Sequence, residues 1–222
     1  MYSLSEDSND EPKMTDPIVK IVFLGQSGVG KTSIIYQFLE QEFNETMSST
    51  VGASFVIHKH SVDDKSISFR IWDTSGQERF RSLCPLYYRN SHACVLVFDV
   101  TDKYSLQEIH YWIEQIEKEM VVMPIMILVG NKEDLQNEEE KDYLKKGNEL
   151  AKELGTQFFL CSAKTGKGIS EIFNFIYWSV LENDEDFFKE QSEENYDFLQ
   201  IFDEKEEKKK NNKEKKKKTC CY

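Results

Sequence analysis

The sequence predicts an α/β fold: a six-stranded, mostly parallel sheet with one antiparallel edge strand, flanked by helices. Three observations predict it. Short apolar, β-branched runs alternate with stretches of helical spacing about 10–15 residues long, the mark of βαβ units. Several of those runs are apolar almost throughout, as strands buried on both faces must be. Two neighbouring runs, within residues 53–72, instead alternate apolar and polar residues and read as a half-exposed pair.

Taken in order, Ile18–Leu24 is a β-branched-rich strand, and Thr32–Leu39 follows with Ile35, Phe38 and Leu39 at helical spacing. Ala53–His60 and Lys65–Trp72 are the alternating strands. Cys94–Val100 is a nearly continuous apolar strand. Leu106–Met120 places Ile109, Trp112, Ile113 and Ile116 on one helical face. Pro124–Val129 is a further buried strand, Tyr143–Leu154 a helix, Gln157–Cys161 the last strand and Ile169–Leu181 the last helix. Sheets of this kind bind ligands beyond the C-terminal ends of their strands.

The 222 residues are 39% apolar and 31% charged, enough for one globular domain with polar tails. The five cysteines, at 84, 94, 161, 220 and 221, form no C-x-x-C pair, which argues against a disulfide scaffold or a zinc ribbon. The longest apolar run, Met120–Val129, is ten residues, against the ~20 a membrane span needs. The acidic N-terminus is not a signal peptide, and Tyr2 stands where N-myristoylation needs glycine. These features predict an intracellular soluble domain.

The net charge is −12, unevenly spread. Glu182–Glu207 holds 12 acids and 2 lysines, and Lys208–Lys218 holds 8 lysines and Glu214. Single-sign blocks repel themselves and stay solvated. The expected organisation is therefore a disordered acidic tail over 1–16, a domain over 17–182 and a disordered tail over 183–222. The 37 residues from 183 to 219 would act as a tether of roughly 30–37 Å if fully flexible.

Directly after the first strand stands GQSGVGKT, Gly25 to Thr32, which fits G-x-x-x-x-G-K-[ST]. Its glycines let backbone N–H groups of Ser27, Gly28, Val29 and Gly30 turn inward around phosphate oxygens at a helix N-terminus. Lys31 would reach the β- and γ-phosphates, Thr32 would ligate Mg²⁺, and Ser33 is a further phosphate-binding candidate. A glycine-rich turn before a helix is the plain alternative, and its place after a buried strand speaks against that.

Three further turns follow strands. Asp73-Thr74-Ser75-Gly76-Gln77 supplies a carboxylate for Mg²⁺ at Asp73, an N–H for the γ-phosphate at Gly76, and an amide at Gln77 that could orient an attacking water. Thr50, between the first helix and the second strand, is the candidate second hydroxyl ligand. Asn131-Lys132-Glu133-Asp134 ends the fifth strand. A carboxylate at Asp134 can accept both N1–H and the N2 amine of guanine, whereas adenine offers a lone pair and no amine. Asn131 and the stem of Lys132 would brace the loop and one face of the base. Ser162-Ala163-Lys164 ends the sixth strand, where the Ala163 N–H could meet guanine O6. Alone, each of these turns is also ordinary strand-end composition; their order is not.

Phosphate loop, Thr, D-x-x-G-Q, N-K-x-D and S-A-K in this order resemble the Ras-like small GTPases over roughly residues 18 to 181. Within them, VGASF (Val51–Phe55), FRIW (Phe69–Trp72), RFRSLC (Arg79–Cys84), YYRNS (Tyr87–Ser91) and LVFDVT (Leu96–Thr101) resemble the stretches that mark the Rab family. The GASF wording is most similar to its endocytic branch. The resemblance implies a P-loop NTPase fold with five helices, GTP hydrolysis to GDP with Mg²⁺, and two mobile loops, around 43–55 and 74–90. It also implies that Phe43 stacks on guanine and that Lys164 belongs to the base site. Two departures stand out: Ser75 replaces the usual alanine, and Met47 sits where relatives often place a tyrosine.

The chain ends KKKKTCCY. Thr219 occupies the place where a C-a-a-X box needs cysteine. A terminal Cys-Cys-X resembles the doubly geranylgeranylated Rab ending, at Cys220 and Cys221. Stable anchoring takes two signals, and two chains beside a polybasic stretch supply them. The resemblance then implies a GTPase-activating protein, an exchange factor, a GDP-dissociation inhibitor, a prenylation escort protein and effectors on the switch loops. It places the protein on the cytoplasmic face of an endomembrane, with a carrier-bound cytosolic pool. The acidic body argues against nucleic acid as a partner. The alternatives are a nucleotide-binding scaffold without turnover, which Gln77 opposes, and a soluble nuclear transport GTPase, which the Cys-Cys ending opposes. His58 and His60 share a strand face but have no third ligand nearby, and are read as a surface pair. The aromatics Phe187, Phe188, Tyr196, Phe198 and Phe202 are read as part of a disordered linker.

Overall fold

A computed structural model describes residues 17–62, 65–135 and 141–183; both tails, with Cys220 and Cys221, lie outside them. The strands are β1 (Ile18–Leu24), β2 (Ala53–Val62), β3 (Lys65–Thr74), β4 (Ala93–Asp99), β5 (Ile125–Asn131) and β6 (Phe158–Leu160). They form one sheet in the order β2-β3-β1-β4-β5-β6. Among the described residues only the edge pair β2–β3 is antiparallel; the other four pairings are parallel. The helices are α1 (Lys31–Glu40), α2 (Cys84–Tyr88), α3 (Lys103–Glu119), α4 (Lys141–Glu153) and α5 (Ile169–Asn183).

Burial follows the sequence pattern. Every residue of β4 is buried, as a central parallel strand between two helical layers requires. On one side Ile109, Trp112, Ile113 and Ile116 of α3 pack into the cluster that includes Leu96, Phe98 and Leu128. On the other, Phe173 of α5 stacks on Phe38 of α1 with centroids 3.6 Å apart and meets Phe23 of β1 at 6.0 Å. β2 alternates only weakly and stays half-exposed, because it has one neighbour and one open edge.

Most expected elements recur within a few residues, with two differences. Helix α2 has no counterpart among the periodic stretches, because CPLYY is one turn and a half and too short to show a 3.6-residue repeat. Strand β6 is three residues long where five were expected. Its flanks still bond to β5, Leu128 N–H to Gln157 O at 3.2 Å and Cys161 N–H to Gly130 O at 2.8 Å. The five parallel strands all end at one edge, with Phe23 aligned to Asp73 and Asp99 aligned to Asn131. That edge gathers the four motif loops.

His58 and His60 prove to be part of an aromatic cluster. Phe38 meets His58 edge-on at 4.8 Å, and His60 Nε2 lies 3.1 Å from Asn174 Oδ1. Among the described residues no group of three or more His, Cys, Asp or Glu side chains could hold a metal. Cys84, Cys94 and Cys161 are free and buried.

Candidate nucleotide and magnesium site

The phosphate loop takes the shape that its glycines permit. Gly25, Gly28 and Gly30 all have positive φ, at 144°, 84° and 95°. A Cβ on Gly25 would lie 2.1 Å from the Val97 carbonyl oxygen, and one on Gly30 2.3 Å from Asn131 Nδ2, so both positions also need the space. Gly30 caps α1 without any side-chain bond, which leaves first-turn N–H groups for an anion. A cavity of about 160 Å³ lies in front of the loop, lined among others by Ser27, Gly28, Lys31, Thr32, Ser33 and Thr50.

Lys31 is buried, and its ammonium donates to the carbonyls of Gly25 and Gln26, both at 2.9 Å. Burial pulls its pKa down to about 8, opposed in part by Asp73. Burial raises the pKa of Asp73, against the pull of Thr32, Lys31 and Thr50. A cation at the cavity wall and an anion beside its hydroxyls are thus both desolvated, each favoured by a counter-charge brought to it.

The three candidate metal ligands converge. Thr32 Oγ1 donates to Asp73 Oδ2 at 2.7 Å and lies 2.8 Å from Thr50 Oγ1, while Thr50 Oγ1 reaches the same Asp73 oxygen at 3.3 Å. Asp73 Oδ1 is buried without a partner. Two hydroxyls and a half-satisfied carboxylate, all oxygen, are a donor set that fits a hard divalent cation. The residues from β1–α1, from the loop before β2 and from β3 meet here although 18 and 41 positions separate them from Thr32.

The D-x-x-G turn sits directly on the phosphate loop. A Cβ on Gly76 would lie 2.3 Å from both Gln26 C and Ser27 N, which are backbone atoms that cannot yield cheaply. Gly76→Ala should therefore still bind GDP but be unable to bring the turn down on the phosphates. Intrinsic tryptophan fluorescence, with Trp72 next to Asp73, should lose the change that wild type shows on exchange of GDP for a GTP analogue; an unchanged response would contradict this.

The base-side loops are tied together by Asn131. Its Nδ2 donates to Val29 O at 2.9 Å, and its Oδ1 accepts from the Ala163 N–H at 3.0 Å. The Ala163 N–H, expected to face guanine O6, is therefore bonded to Asn131 instead, and meeting O6 requires that bond to be shared or exchanged. Lys132, at φ 68°, pairs with Asp99 at 2.6 Å. Asp134 is exposed, with Oδ1 held by Ser162 Oγ at 2.5 Å. Phe43 is 38% exposed, and Lys164 pairs with Glu45 at 3.6 Å. The Gln37 amide, oriented with its nitrogen toward them, donates to the Glu42 and Ala163 carbonyls, both at 2.9 Å.

Gln77, like Val29, Asp73 and the base-side residues, does not line the cavity, and its Oε1 accepts from Arg79 Nε at 2.7 Å. Four participants are not among the expected site residues. Ser48, Ser49 and Thr74 line the cavity with Met47 and Thr50, and Asp99 orients Lys132. The signal for Asp99 was available, since it ends a fully buried strand with an acid.

Residues 20–182 match the Ras family. The chain is 37% identical over 169 residues to the Ras-related protein Rab-13 of Mesocricetus auratus, covering 76% of this chain and 83% of that protein. It is 39% identical over 160 residues to the GTP-binding protein YPT53 of Saccharomyces cerevisiae, covering 70% and 73%. It is also 39% identical over 154 residues to the Ras-related protein Rab-21 of Mus musculus, covering 69% of each. A parallel sheet with one antiparallel edge pair, a phosphate loop at its first crossover and a match across nearly all of the described chain agree: this protein belongs to the Ras family and, within it, to the Rab small GTPases.

Proposed function

We propose that the protein is a membrane-anchored GTP/GDP switch in vesicle trafficking, with its site residues in the following roles. The observation that carries this is the convergence of Thr32 and Thr50, which line the cavity with Lys31, on one oxygen of the Asp73 carboxylate. Ser27, Gly28, Val29, Gly30 and Ser33 surround the phosphates, and Gly76 offers its N–H to the γ-phosphate. Thr32 and Thr50 would hold Mg²⁺ directly, with Asp73 behind them. When bound, the ion would neutralise charge on the phosphate oxygens. Lys31 holds the same charge from the protein side. Gln77 orients the attacking water. Phe43, Lys132 and Lys164 enclose the base, and Asp134, fixed by Ser162, reads it. The similarity to YPT53, a GTP-binding protein, supports the ligand.

The switch needs surfaces that partners can read. Phe55, Ile57, Leu83 and Leu86 are exposed around the two switch segments, and Trp72 bridges Phe55 at 5.1 Å and Tyr87 at 5.6 Å. This apolar face suits effectors. A GTPase-activating protein, an exchange factor, a GDP-dissociation inhibitor and a prenylation escort complete the cycle. No helix among the described residues is long and apolar enough to cross a membrane. Attachment to the cytoplasmic face of an endomembrane would come from prenyl groups on Cys220 and Cys221, with the carrier-bound form in the cytosol. The three relatives lie at 37–39% identity, so they rank no branch above another, and the endocytic assignment rests on the GASF wording.

The test of the site is kinetic. Intrinsic hydrolysis should be slow, on the order of 10⁻⁴–10⁻³ s⁻¹ as in related switches. Gln77→Leu should be slower still while retaining nucleotide, and Thr32→Asn should weaken GTP more than GDP. Equal single-turnover rates for wild type and Gln77→Leu would remove Gln77 from the mechanism.

A further inference from the structure

We infer that Ser75 and Arg79 form a latch that holds Gln77 away from the phosphate cavity and slows intrinsic hydrolysis. The inference rests on the reading of Gln77 as the water-orienting residue. Its neighbour Gly76 lines the cavity; Gln77 does not. Two bonds account for the difference. The Gln77 backbone N–H donates to Ser75 Oγ at 3.3 Å, and Arg79 Nε donates to Gln77 Oε1 at 2.7 Å.

Both partners are themselves placed. Ser75 is 2% exposed, and its own N–H donates to the Gly52 carbonyl at 2.7 Å, so its hydroxyl is presented from a fixed backbone. This bond also links the turn to the segment that carries Thr50. A hydroxyl accepting the N–H two residues on is a local turn that an alanine cannot make. Gln77 enters the 3-10 turn Glu78–Leu83 with extended backbone, φ −75° and ψ 134°. Arg79 is then within reach of its amide, and the guanidinium lies 5.2 Å from the centre of the Phe80 ring.

The consequence is chemical. A glutamine that orients water does so by accepting a hydrogen bond from it at Oε1. Here Oε1 is directed to Arg79. Hydrolysis then proceeds only from the fraction of molecules in which the amide has turned inward, and each latch bond lowers that fraction. A hydrogen bond of this kind changes such a population about two- to tenfold. Ser75 and Arg79 act through Gln77 and are positioning residues.

The test uses the full chain loaded with GTP and Mg²⁺ in single-turnover hydrolysis, with GDP dissociation measured alongside. Arg79→Ala and Ser75→Ala should each hydrolyse about two- to tenfold faster than wild type. Arg79→Lys, which keeps a cationic donor, should stay near the wild-type rate. GDP dissociation should be unchanged, whereas a general loosening of the domain would raise it. In a Gln77→Leu background, removing Arg79 should produce no acceleration. If Gln77→Leu is slow but neither single variant is faster than wild type, the latch is wrong and the role of Gln77 stands. If acceleration persists without Gln77, the latch is also wrong, because the effect would not pass through that side chain. If Gln77→Leu matches wild type, the reading of Gln77 fails and the latch falls with it.

Discussion

Asp134→Asn should bind xanthine nucleotides and reject guanine ones. Wild-type Asp134 stands on an exposed turn, and Ser162 Oγ fixes one of its oxygens at 2.5 Å. A carboxylate so placed accepts from N1–H and the N2 amine of guanine in two charge-assisted bonds. Adenine presents a lone pair where N1–H should be, so the wild-type site should prefer GTP to ATP by roughly 10⁴–10⁵. The asparagine variant turns a donor toward C2, where xanthine has a carbonyl. Equilibrium competition among GDP, XDP and ADP measures both statements. A variant that kept its guanine preference would show that Asp134 does not read the base.

The second large effect concerns the membrane. Cys220→Ser combined with Cys221→Ser should leave the protein wholly cytosolic. One lipid chain holds a protein to a bilayer only marginally, and two hold it stably. Neutralising Lys215–Lys218 should weaken anchoring or change the membrane chosen, because each lysine contributes only about 1 kcal/mol near an anionic surface and is screened by salt. Fractionation of cells expressing each form gives the distribution, and intact mass of the membrane-bound form gives the modification. A membrane-bound chain without prenyl mass would refute this mode of attachment without touching the nucleotide site.

Much of the fold was legible because its signals are local. β1 appears at the expected residues, Ile18–Leu24, since a β-branched run flanked by a glycine loop leaves little choice. The motif loops were legible for the same reason: a G-x-x-x-x-G-K-T stretch carries within itself the glycines, lysine and hydroxyl of a phosphate cradle. What depended on distant partners was not. Thr50 was a candidate by position alone, and only the folded chain puts its hydroxyl 2.8 Å from that of Thr32. The Ala163 N–H reads in the sequence as a donor to guanine O6, but Asn131, 32 residues away, already accepts from it. Lys132 gave no hint of its pairing with Asp99, which comes from the register of β4 and β5. Gln77 is read from its motif as a residue that could orient water, and nothing local shows that its Oε1 accepts from Arg79.

The most direct test of the whole account is the identity of the nucleotide the protein carries. Full-length chain purified from cells in the presence of Mg²⁺, then denatured and its released nucleotide separated by chromatography, should yield close to one guanine nucleotide per chain, as GDP with a smaller share of GTP. Adenine nucleotide at that stoichiometry, or protein that is folded and empty and takes up no added GDP, would contradict it.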